Sequence, residues 1–283
     1  MSTLTATPET PESAPAAPAR PAYRVTGRRV LASEWAKLWS LRSTWITLGL
    51  GLLFLVAFGV IAASHYRSDV GSGRRLDRDF ATSTALSLSL FGTNFAQLAL
   101  GVLGVLVTAG EYSTGMIRST LAAVPRRLPV LWSKAAVYGL VALVVATVGA
   151  CAAFLVGSRI VSGTPAALGI THAGVVRALL GAGLYLGLVG VIGTALGALL
   201  RSVAGGISVL VAALMLVPGL VSLLPTSWQG NITPYLPSHA GESVFALTHD
   251  STALSPSAGL LVLLGWTAAA LAGAAYRLVR SDV

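Results

Sequence analysis

Long uncharged apolar stretches alternate with short polar connections along most of this chain. The first stretch, residues 45–63, contains nineteen residues and no charge. About 20 apolar residues that rise 1.5 Å each in a helix cross a hydrocarbon core of ~30 Å. Five comparable stretches follow, at about 85–109, 135–157, 175–200, 203–224 and 256–276. The pattern predicts an all-α, polytopic membrane protein with six transmembrane helices.

The composition agrees with a membrane protein. Mean hydropathy is +0.78, and only 10% of the residues are charged, against roughly 25% in an ordinary soluble domain. A soluble chain this apolar would expose large hydrophobic patches to water. The single cysteine, Cys151, lies within the third stretch and has no partner for an internal disulfide, so we expect a small buried hydrophobic residue there.

The basic residues are divided unevenly between the two sides of the membrane that this topology defines. The net charge is +9, from 19 Lys and Arg against 10 Asp and Glu. With the N-terminus inside, 13 of the 19 lie on the cytoplasmic side and the outer loops carry six, Arg67, Arg74, Arg75, Arg78, Arg159 and Arg177. This bias predicts a cell-membrane protein with both termini in the cytoplasm, although the first outer loop runs against it. It also argues against a nucleic-acid partner.

Two different segments precede the first span. Residues 1–22 are mainly Ala, Pro, Thr, Ser and Glu, which predicts a disordered cytoplasmic leader. This leader lacks the apolar core of a secretory signal. Residues 23–283 then form the transmembrane domain.

Residues 30–42 predict an amphipathic helix that lies in the membrane interface ahead of the first span. Leu31, Trp35 and Leu38 share one stripe with Trp39 beside it, while Lys37 lies on the opposite side. Tryptophans prefer headgroup depth, and basic groups there face water and anionic lipid. We therefore expect an interfacial elbow helix marked by Trp35, Lys37, Trp39 and Arg42. A plain cytoplasmic extension of the first span is the alternative.

One face of the second span is polar. An arc of ~100° holds Ser87, Asn94, Gln97, Gly101, Gly104 and Thr108. An amide facing lipid would remain an unsatisfied polar group, so this face must contact protein or a hydrated path. Asn94 and Gln97 therefore line a translocation path or hydrogen-bond to neighbouring helices. The sequence leaves both interpretations open.

Small residues form a stripe along the fourth span. An arc of ~80° holds Gly183, Gly187, Gly190, Thr194 and Gly197. This spacing lets two backbones approach closely, so we expect helix packing here, within the subunit or at a homodimer contact. In the fifth span, Pro218 and Gly219 predict a bend near the outer end.

The connection between spans two and three, about residues 110–134, is the richest in polar and basic residues. Ser113 or Thr114 can cap a short helix that runs to about Val124, where Pro125 ends it. A basic turn at 125–129 then leads through a second short helix into span three. Such helices would form a docking surface for another protein. A solvated loop whose arginines only anchor the topology is the alternative.

Two motifs resemble the ABC-2-type permeases, the membrane subunits of ATP-binding cassette (ABC) exporters, and among these the actinobacterial members. The first is Ser-Glu-Trp-x-Lys-Leu-x-Ser-x-Arg-Ser-Thr-Trp, residues 33–45. The second is Glu-Tyr-Ser-Thr-Gly-Met-Ile-Arg-Ser-Thr-Leu, residues 111–121, followed by Pro125 and by Lys134 at the start of span three. The resemblance covers about residues 28–280, and neither motif is specific for a substrate.

The resemblance implies a six-span half-transporter that pairs with a second permease subunit, as a homodimer or a heterodimer, and with a separate ATPase subunit. It also implies that the loop after span two couples to that ATPase through Glu111, Tyr112, Gly115, Arg118, Pro125, Arg126 and Arg127. By the same analogy, the segment between spans five and six packs as short helices near the outer surface.

Missing motifs assign the ATP chemistry to a partner chain. No Gly-x-x-x-x-Gly-Lys-[Ser/Thr] run occurs, and the only lysines, Lys37 and Lys134, do not follow glycine. We therefore expect no enzyme activity and no cofactor in this chain, with ATP bound by the partner. The outer segment contains His239, Glu242, His249 and Asp250, whose loose spacing predicts no metal site.

The sequence thus predicts an exporter permease that moves a hydrophobic or amphipathic substrate, such as a drug, an antibiotic or a lipid, by alternating access. A membrane anchor or sensor subunit that moves no solute is the main alternative. An intramembrane enzyme using His239, Glu242 or His249 ranks last, because no other catalytic group converges on them.

Overall fold

The computed structural model describes residues 26–73, 82–124, 127–247 and 253–280. Within these ranges the chain is helical apart from turns and short connections, and they contain no strand. The predicted leader, residues 1–22, lies outside the described residues.

The first half of the described chain contains the elbow helix and three spans. Its helices are α1 Gly27–Ser40, α2 Arg42–Gly71, α3 Ala85–Ser89, α4 Thr93–Ser113, α5 Met116–Ala123 and α6 Arg127–Ile160. A single residue, Leu41, with extended backbone separates α1 from α2. This break lets α1 leave the axis of the first span.

The second half contains three further spans and the short helices between the last two. Its helices are α7 Val175–Leu200, α8 Val203–Val211, α9 Val217–Val221, α10 Thr226–Ile232, α11 Pro237–Phe245 and α12 Pro256–Arg280. The expectation that short helices fill the segment between spans five and six is met by α10 and α11.

Among the described residues, six segments are long and apolar enough to cross a membrane, as the predicted multi-pass architecture requires. They are Arg42–Gly71, Ala85–Ser113, Arg127–Ile160, Val175–Leu200, Val203–Val221 and Pro256–Arg280. Several helices continue past the predicted bounds, because polar residues at their ends extend the same helix. The 34 residues of α6 make it about 51 Å long, well beyond the hydrocarbon core.

The second span is not the continuous helix that its apolar pattern predicts. A 3₁₀ turn, Leu90–Gly92, separates α3 from α4. At this turn the backbone of Gly92 packs directly on α2, where a Cβ at Gly92 would collide with the Leu55 carbonyl. Close contact between two backbones thus fixes the break. A hydrophobicity pattern does not record such a contact.

The helices differ in how much of their surface the bundle covers. In the most apolar windows of the second and fourth spans, 61% of residues are buried, against 17–28% in the first, fifth and sixth. The second and fourth spans therefore form the centre, with α6 packed beside them. The other spans are left with broad apolar faces toward lipid or another subunit.

The fifth span carries a distortion slightly earlier than its Pro-Gly pair predicts. One turn of π-helix, Ala212–Leu216, lies directly before Pro218. Proline has no N–H to donate to the carbonyl four residues back, which here is Leu214, and its ring crowds that carbonyl. As a result, the backbone hydrogen bonds ahead of the proline span five residues, as in a π-helix, and not four.

Side-chain contacts define two ends of the bundle. At one end, Arg127 Nη1 donates to the Leu278 carbonyl at 3.2 Å, joining the start of α6 to the end of α12. At the other end, Arg177 donates at 2.7 Å to the carbonyls of Val244 and Ala246, at the end of α11. We call the first the elbow end, because it also holds α1 and α5, and the second the far end. The described chain begins and ends at the elbow end.

Candidate functional site

Four charged side chains from three separate helices meet at the elbow end. Glu34 and Lys37 lie three residues apart on α1 and so share one face of that helix. Glu111 lies near the end of α4, and Lys134 lies in the second turn of α6. We call these four residues the elbow cluster. It contains the only two lysines of the sequence.

The elbow cluster is a closed ring of ion pairs. Lys134 Nζ donates to Glu34 Oε2 at 2.6 Å and to Glu111 Oε1 at 2.9 Å. Lys37 Nζ donates to Glu34 Oε1 at 2.8 Å and to Glu111 Oε1 at 3.2 Å. Each lysine bridges both glutamates, so the pairs tie α1 to both α4 and α6.

The cluster lies under the surface of the bundle. Glu34, Glu111 and Lys134 are each 4% exposed, and Lys37 is half-buried. Two carboxylates and two ammonium groups leave no net charge, which is the condition under which buried ions are tolerated. Removing one member would leave a buried charge without its counter-charge.

The ion pairs shift the pKa of Glu34 and the pKa of Lys37 in the directions that favour their charged forms. Burial alone would raise the pKa of Glu34, but the charges and hydrogen bonds of Lys134 and Lys37 outweigh it and hold the pKa below its ordinary value. Burial alone would lower the pKa of Lys37, but Glu34 and Glu111 outweigh it and raise that pKa. Both groups therefore stay charged at neutral pH.

A cavity of about 290 Å³ lies beside the cluster. Leu38 of α1, Leu106 of α4 and Val137 of α6 contribute apolar wall. All four charged residues of the cluster also line it. Within the described part of the chain, Glu111 Oε2 has no hydrogen-bond partner. The cavity thus combines apolar walls with one unsatisfied carboxylate oxygen.

The predicted short helix after the second span exists as α5, but its predicted cap is wrong. The hydroxyls of Ser113 and Thr114 each donate to the Gly110 carbonyl at 2.9 Å and so bond back to α4. The residue before α5 is instead Gly115, with φ +74° and no capping side chain. No atom lies within 4 Å of a Cβ built there, so backbone conformation, and not space, favours glycine.

Helix α5 joins the elbow cluster through one hydroxyl and presents its charged residue outward. Thr120 Oγ1 accepts a hydrogen bond from Lys37 Nζ at 3.2 Å. Arg118, one of the predicted coupling residues, is exposed on α5. Glu111, another of them, is buried in the cluster. Glu111 can therefore reach a partner only through its neighbours, whereas Arg118 can touch one directly.

The remaining predicted coupling residues lie close to this region where the structure describes them. The Arg201 guanidinium, in the turn between α7 and α8, stands 5.3 Å from the centre of the Tyr112 ring. Arg127 begins α6 and bonds to the Leu278 carbonyl. Pro125 and Arg126 lie outside the described residues. The predicted second short helix before span three is the first part of α6.

Helix α1 turns Val30, Glu34 and Leu38 toward the bundle, whereas Leu31 and Trp35 are exposed, Trp35 by 46%. The sequence pattern placed Lys37 toward water, but Lys37 is half-buried and faces the cluster. The pattern missed this because the α1 face toward the bundle is anchored by a charged residue, Glu34.

Three tryptophans form a cluster on the outside of the elbow. The ring centres of Trp35 and Trp39 are 5.3 Å apart, and those of Trp39 and Trp45 are 4.4 Å apart. Trp45 Nε1 donates to the Trp39 carbonyl at 3.3 Å. Arg42, at the start of α2, is exposed. The exposed indoles of Trp35 and Trp45 beside a cationic side chain are a pattern typical of residues at headgroup depth. The interfacial position of the elbow stays a prediction.

The two amides of the second span occupy different environments. Gln97 is buried, and its Oε1 accepts a short hydrogen bond from the hydroxyl of Tyr185 on α7. It therefore links two helices in this structure. Asn94 is half-buried and lines a far-end cavity of about 330 Å³ together with Glu242. Of the two, only Asn94 lies where a solute could reach it.

The glycine stripe of the fourth span packs within the subunit. A Cβ added at any of its glycines would come within 3.0 Å of a neighbouring helix: α6 for Gly183, Gly187 and Gly190, and α4 for Gly197. Both neighbours belong to the same chain, so this stripe is not available for a homodimer contact.

His239 and Glu242 form an ion pair at the far end of the bundle. His239 Nδ1 lies 3.4 Å from Glu242 Oε2 on α11, and both side chains are partly exposed. The described ranges contain no group of three or more His, Cys, Asp or Glu that could hold a metal. His249 and Asp250 lie outside those ranges. Cys151 is a half-buried free thiol on α6.

Sequence comparisons identify no relatives: no family model matches the chain, and the search of curated proteins finds no match. Glu34 lies in the first sequence motif and Lys134 follows the second, but their positions in the sequence do not predict that they are partners. The signal that could have found them is charge scarcity. Two lysines in 283 residues, each beside an apolar span, require counter-charges if they are buried.

Proposed function

We propose that this protein is the membrane-spanning permease subunit of an ABC exporter, moving a hydrophobic or amphipathic substrate across the cell membrane with energy from a separate ATPase subunit. In this proposal the elbow end faces the cytoplasm, and the chain pairs with a second permease subunit. The six-span architecture supports it, and so does the resemblance of residues 33–45 and 111–121 to ABC-2-type permeases.

One observation carries the proposal. The two motifs that resemble the permease family are 65 or more residues apart in the sequence, yet Lys37 of the first bonds to Glu111 and Thr120 of the second. Lys134, which follows the second motif at the start of span three, completes the same cluster. The residues that carry the resemblance are therefore in physical contact.

The contact has a mechanical consequence. Helix α5 lies beside the cluster and bonds to it through Thr120, and the ion pairs of the cluster connect α1 to the second and third spans, α4 and α6. A partner that moves α5 would thus move the elbow helix and two spans together. Coupling of ATP hydrolysis to alternating access needs such a connection, since an energy-supplying subunit acts on the spans only through the parts that it touches.

Site-specific crosslinking tests the proposal. In a Cys151→Ala background the chain has no other cysteine, so a benzophenone maleimide can be placed at Arg118→Cys on α5. We expect ultraviolet light to crosslink this site, in native membranes, to a protein that contains an ATP-binding cassette. Thr171→Cys, exposed between α6 and α7 at the far end, is the matched control and should give no such product.

Reconstitution separates transport from anchoring. The complex isolated through this chain should hydrolyse ATP in proteoliposomes, and Arg118→Ala should lower substrate-stimulated hydrolysis while leaving the complex soluble in detergent and monodisperse. An isolated complex without an ATPase, or crosslinking at Thr171→Cys in place of Arg118→Cys, would contradict the proposal and favour an anchor or a sensor.

A further inference from the structure

The cavity beside the elbow cluster has the properties of a ligand site. Its volume of about 290 Å³ is close to the lower bound of about 300 Å³ for small-molecule sites. Leu38, Leu106, Val137 and Met116 give it apolar walls, and the exposed residues Leu41 and Ser43 connect it to the surface. A ligand can therefore enter from the elbow surface.

The polar side of the cavity contains a hydrogen-bond acceptor that has no donor within the described part of the chain. Glu111 is 4% exposed and lines the cavity. Its Oε1 accepts from both lysines, whereas its Oε2 has no partner among the described residues. A carboxylate oxygen accepts hydrogen bonds and donates none. Leaving it buried without a donor is costly, so a group that carries N–H or O–H is favoured there.

The cluster itself has little to offer an anionic ligand. Lys37 donates to Glu34 Oε1, to Glu111 Oε1 and to Thr120 Oγ1, which uses all three of its N–H groups. The two lysines are also balanced by two glutamates. A phosphate or carboxylate would meet the free oxygen of Glu111 and be repelled, whereas an ammonium group would be attracted.

We propose that this cavity binds a primary-amine amphiphile, with its ammonium group donating to Glu111 Oε2 and its alkyl chain lying along Leu38, Leu106 and Val137. Two sources share this chemistry: an aminophospholipid of the bilayer and a free hydrophobic amine. Binding here requires no transport and no ATPase, so it stands independently of the proposed function.

The sharpest probe is a pair of cations, one with N–H groups and one in which methyl groups replace the N–H hydrogens. Dodecylamine and dodecyltrimethylammonium share charge and chain length, but only the first can donate a hydrogen bond. We expect the full-length protein in neutral detergent to bind dodecylamine at least about tenfold more tightly, as one hydrogen bond to a charged group would give. Microscale thermophoresis measures both affinities. Equal affinities would overturn the proposal.

Two variants and one control locate the site. Glu111→Gln puts a neutral amide in place of the carboxylate and should make the two affinities about equal. The control, Glu242→Gln, changes a partly exposed glutamate at the far end and should leave the preference intact. Val107→Trp fills the cavity from α4 without touching the ion pairs and should weaken the binding of both amphiphiles. Loss of the preference in Glu242→Gln, or unchanged binding in Val107→Trp, would place the amine elsewhere.

A lipid arm distinguishes the two sources. Native mass spectrometry of protein released from nanodiscs compares phosphatidylethanolamine with phosphatidylcholine, which lacks N–H groups. If the protein retains phosphatidylethanolamine and the Glu111→Gln variant does not, the amine site exists and a bilayer lipid occupies it. If the protein is selective between the two dodecyl compounds but not between the two lipids, the amine site exists and a free amine occupies it. No selectivity in either arm would mean that water alone fills the cavity.

Discussion

The elbow end and the centre of the bundle are held together by opposite means. At the elbow end, three buried charges and one half-buried charge join α1, α4 and α6 through directional ion pairs beside an open cavity. In the centre, α4 and α7 meet through glycines, with no charged side chain between them. A Cβ at Gly193 would collide with the carbonyl of Gly101. The charged groups at the elbow end can exchange hydrogen-bond partners, whereas the glycine contacts in the centre permit only one spacing of α4 and α7.

This contrast predicts that the glycine interface tolerates the least change. Gly193→Val should prevent folding, because its Cβ collides with backbone that cannot move aside. The destabilisation should exceed the ~1–3 kcal/mol that is usual for overpacking. Size-exclusion chromatography in detergent measures the folded fraction.

Gly265→Ala is the matched control for that substitution. No atom lies within 4 Å of a Cβ at Gly265 on α12, so the variant should fold and gain stability from better helix propensity. A monodisperse, normally stable Gly193→Val protein would show that α4 and α7 do not pack as described.

Breaking the elbow cluster should have the next largest effect. Lys134→Met leaves Glu34 and Glu111 with half of their counter-charge, and removing one partner of a buried pair costs about 3–5 kcal/mol. We expect the midpoint of thermal unfolding to fall sharply. Arg118→Met, on exposed α5, should leave it nearly unchanged.

A double-mutant cycle shows whether the loss comes from the ion pair. Adding Glu34→Gln to Lys134→Met removes one of the two stranded carboxylates, so the double variant should be more stable than the sum of the single changes predicts. The coupling should lie within about 0.5–3 kcal/mol. Strict additivity would contradict the 2.6 Å contact between these residues.

The cluster also predicts an acid limit for stability. The pKa of Glu34 is held below its ordinary value of 4.5. Its contribution to the free energy of unfolding is therefore complete above pH 4.5 and is lost as the pH falls through the lowered pKa. The midpoint of thermal unfolding should fall as the pH is lowered from 6 to 3. The midpoint of the Glu34→Gln variant should fall less steeply. Parallel curves for the two proteins would contradict this assignment.

The smallest effect should come from the partly exposed pair at the far end. His239 and Glu242 lie 3.4 Å apart with both side chains in partial contact with solvent, and ion pairs near the surface contribute about 0–1 kcal/mol. His239→Ala should change the unfolding midpoint very little in a thermal shift assay. A loss as large as that of Lys134→Met would mean that this pair has a structural role.

The spans could be predicted from the sequence because lipid imposes a local rule. Each span must be long, apolar and helical on its own account, so a window of residues contains the information. The break at Leu90–Gly92 could not be predicted this way. It depends on α2, whose carbonyl at Leu55 approaches Gly92 from about 37 positions earlier in the sequence.

The candidate site was predictable in part, for the same reason. Its two motifs were identified, but the bonds of Lys37 to Glu111 and of Lys134 to Glu34 join residues 74 and 100 positions apart. The pairing of Lys37 with buried Glu34 also contradicted the prediction that Lys37 faces water. Local periodicity assigns charged residues to the outside, and only the tertiary structure reveals that four of them neutralise one another inside.

The turn between the fourth and fifth spans has a consequence for how the molecule can move. Only Arg201 and Ser202 separate α7 from α8, and Arg201 adopts a left-handed φ of 54° while its guanidinium rests on Tyr112. Such a short, clamped joint keeps these two helices adjacent at the elbow end. Their opposite ends are tied only through the longer run of α10 and α11. A splaying motion of this hairpin would therefore open a gap on the far side first.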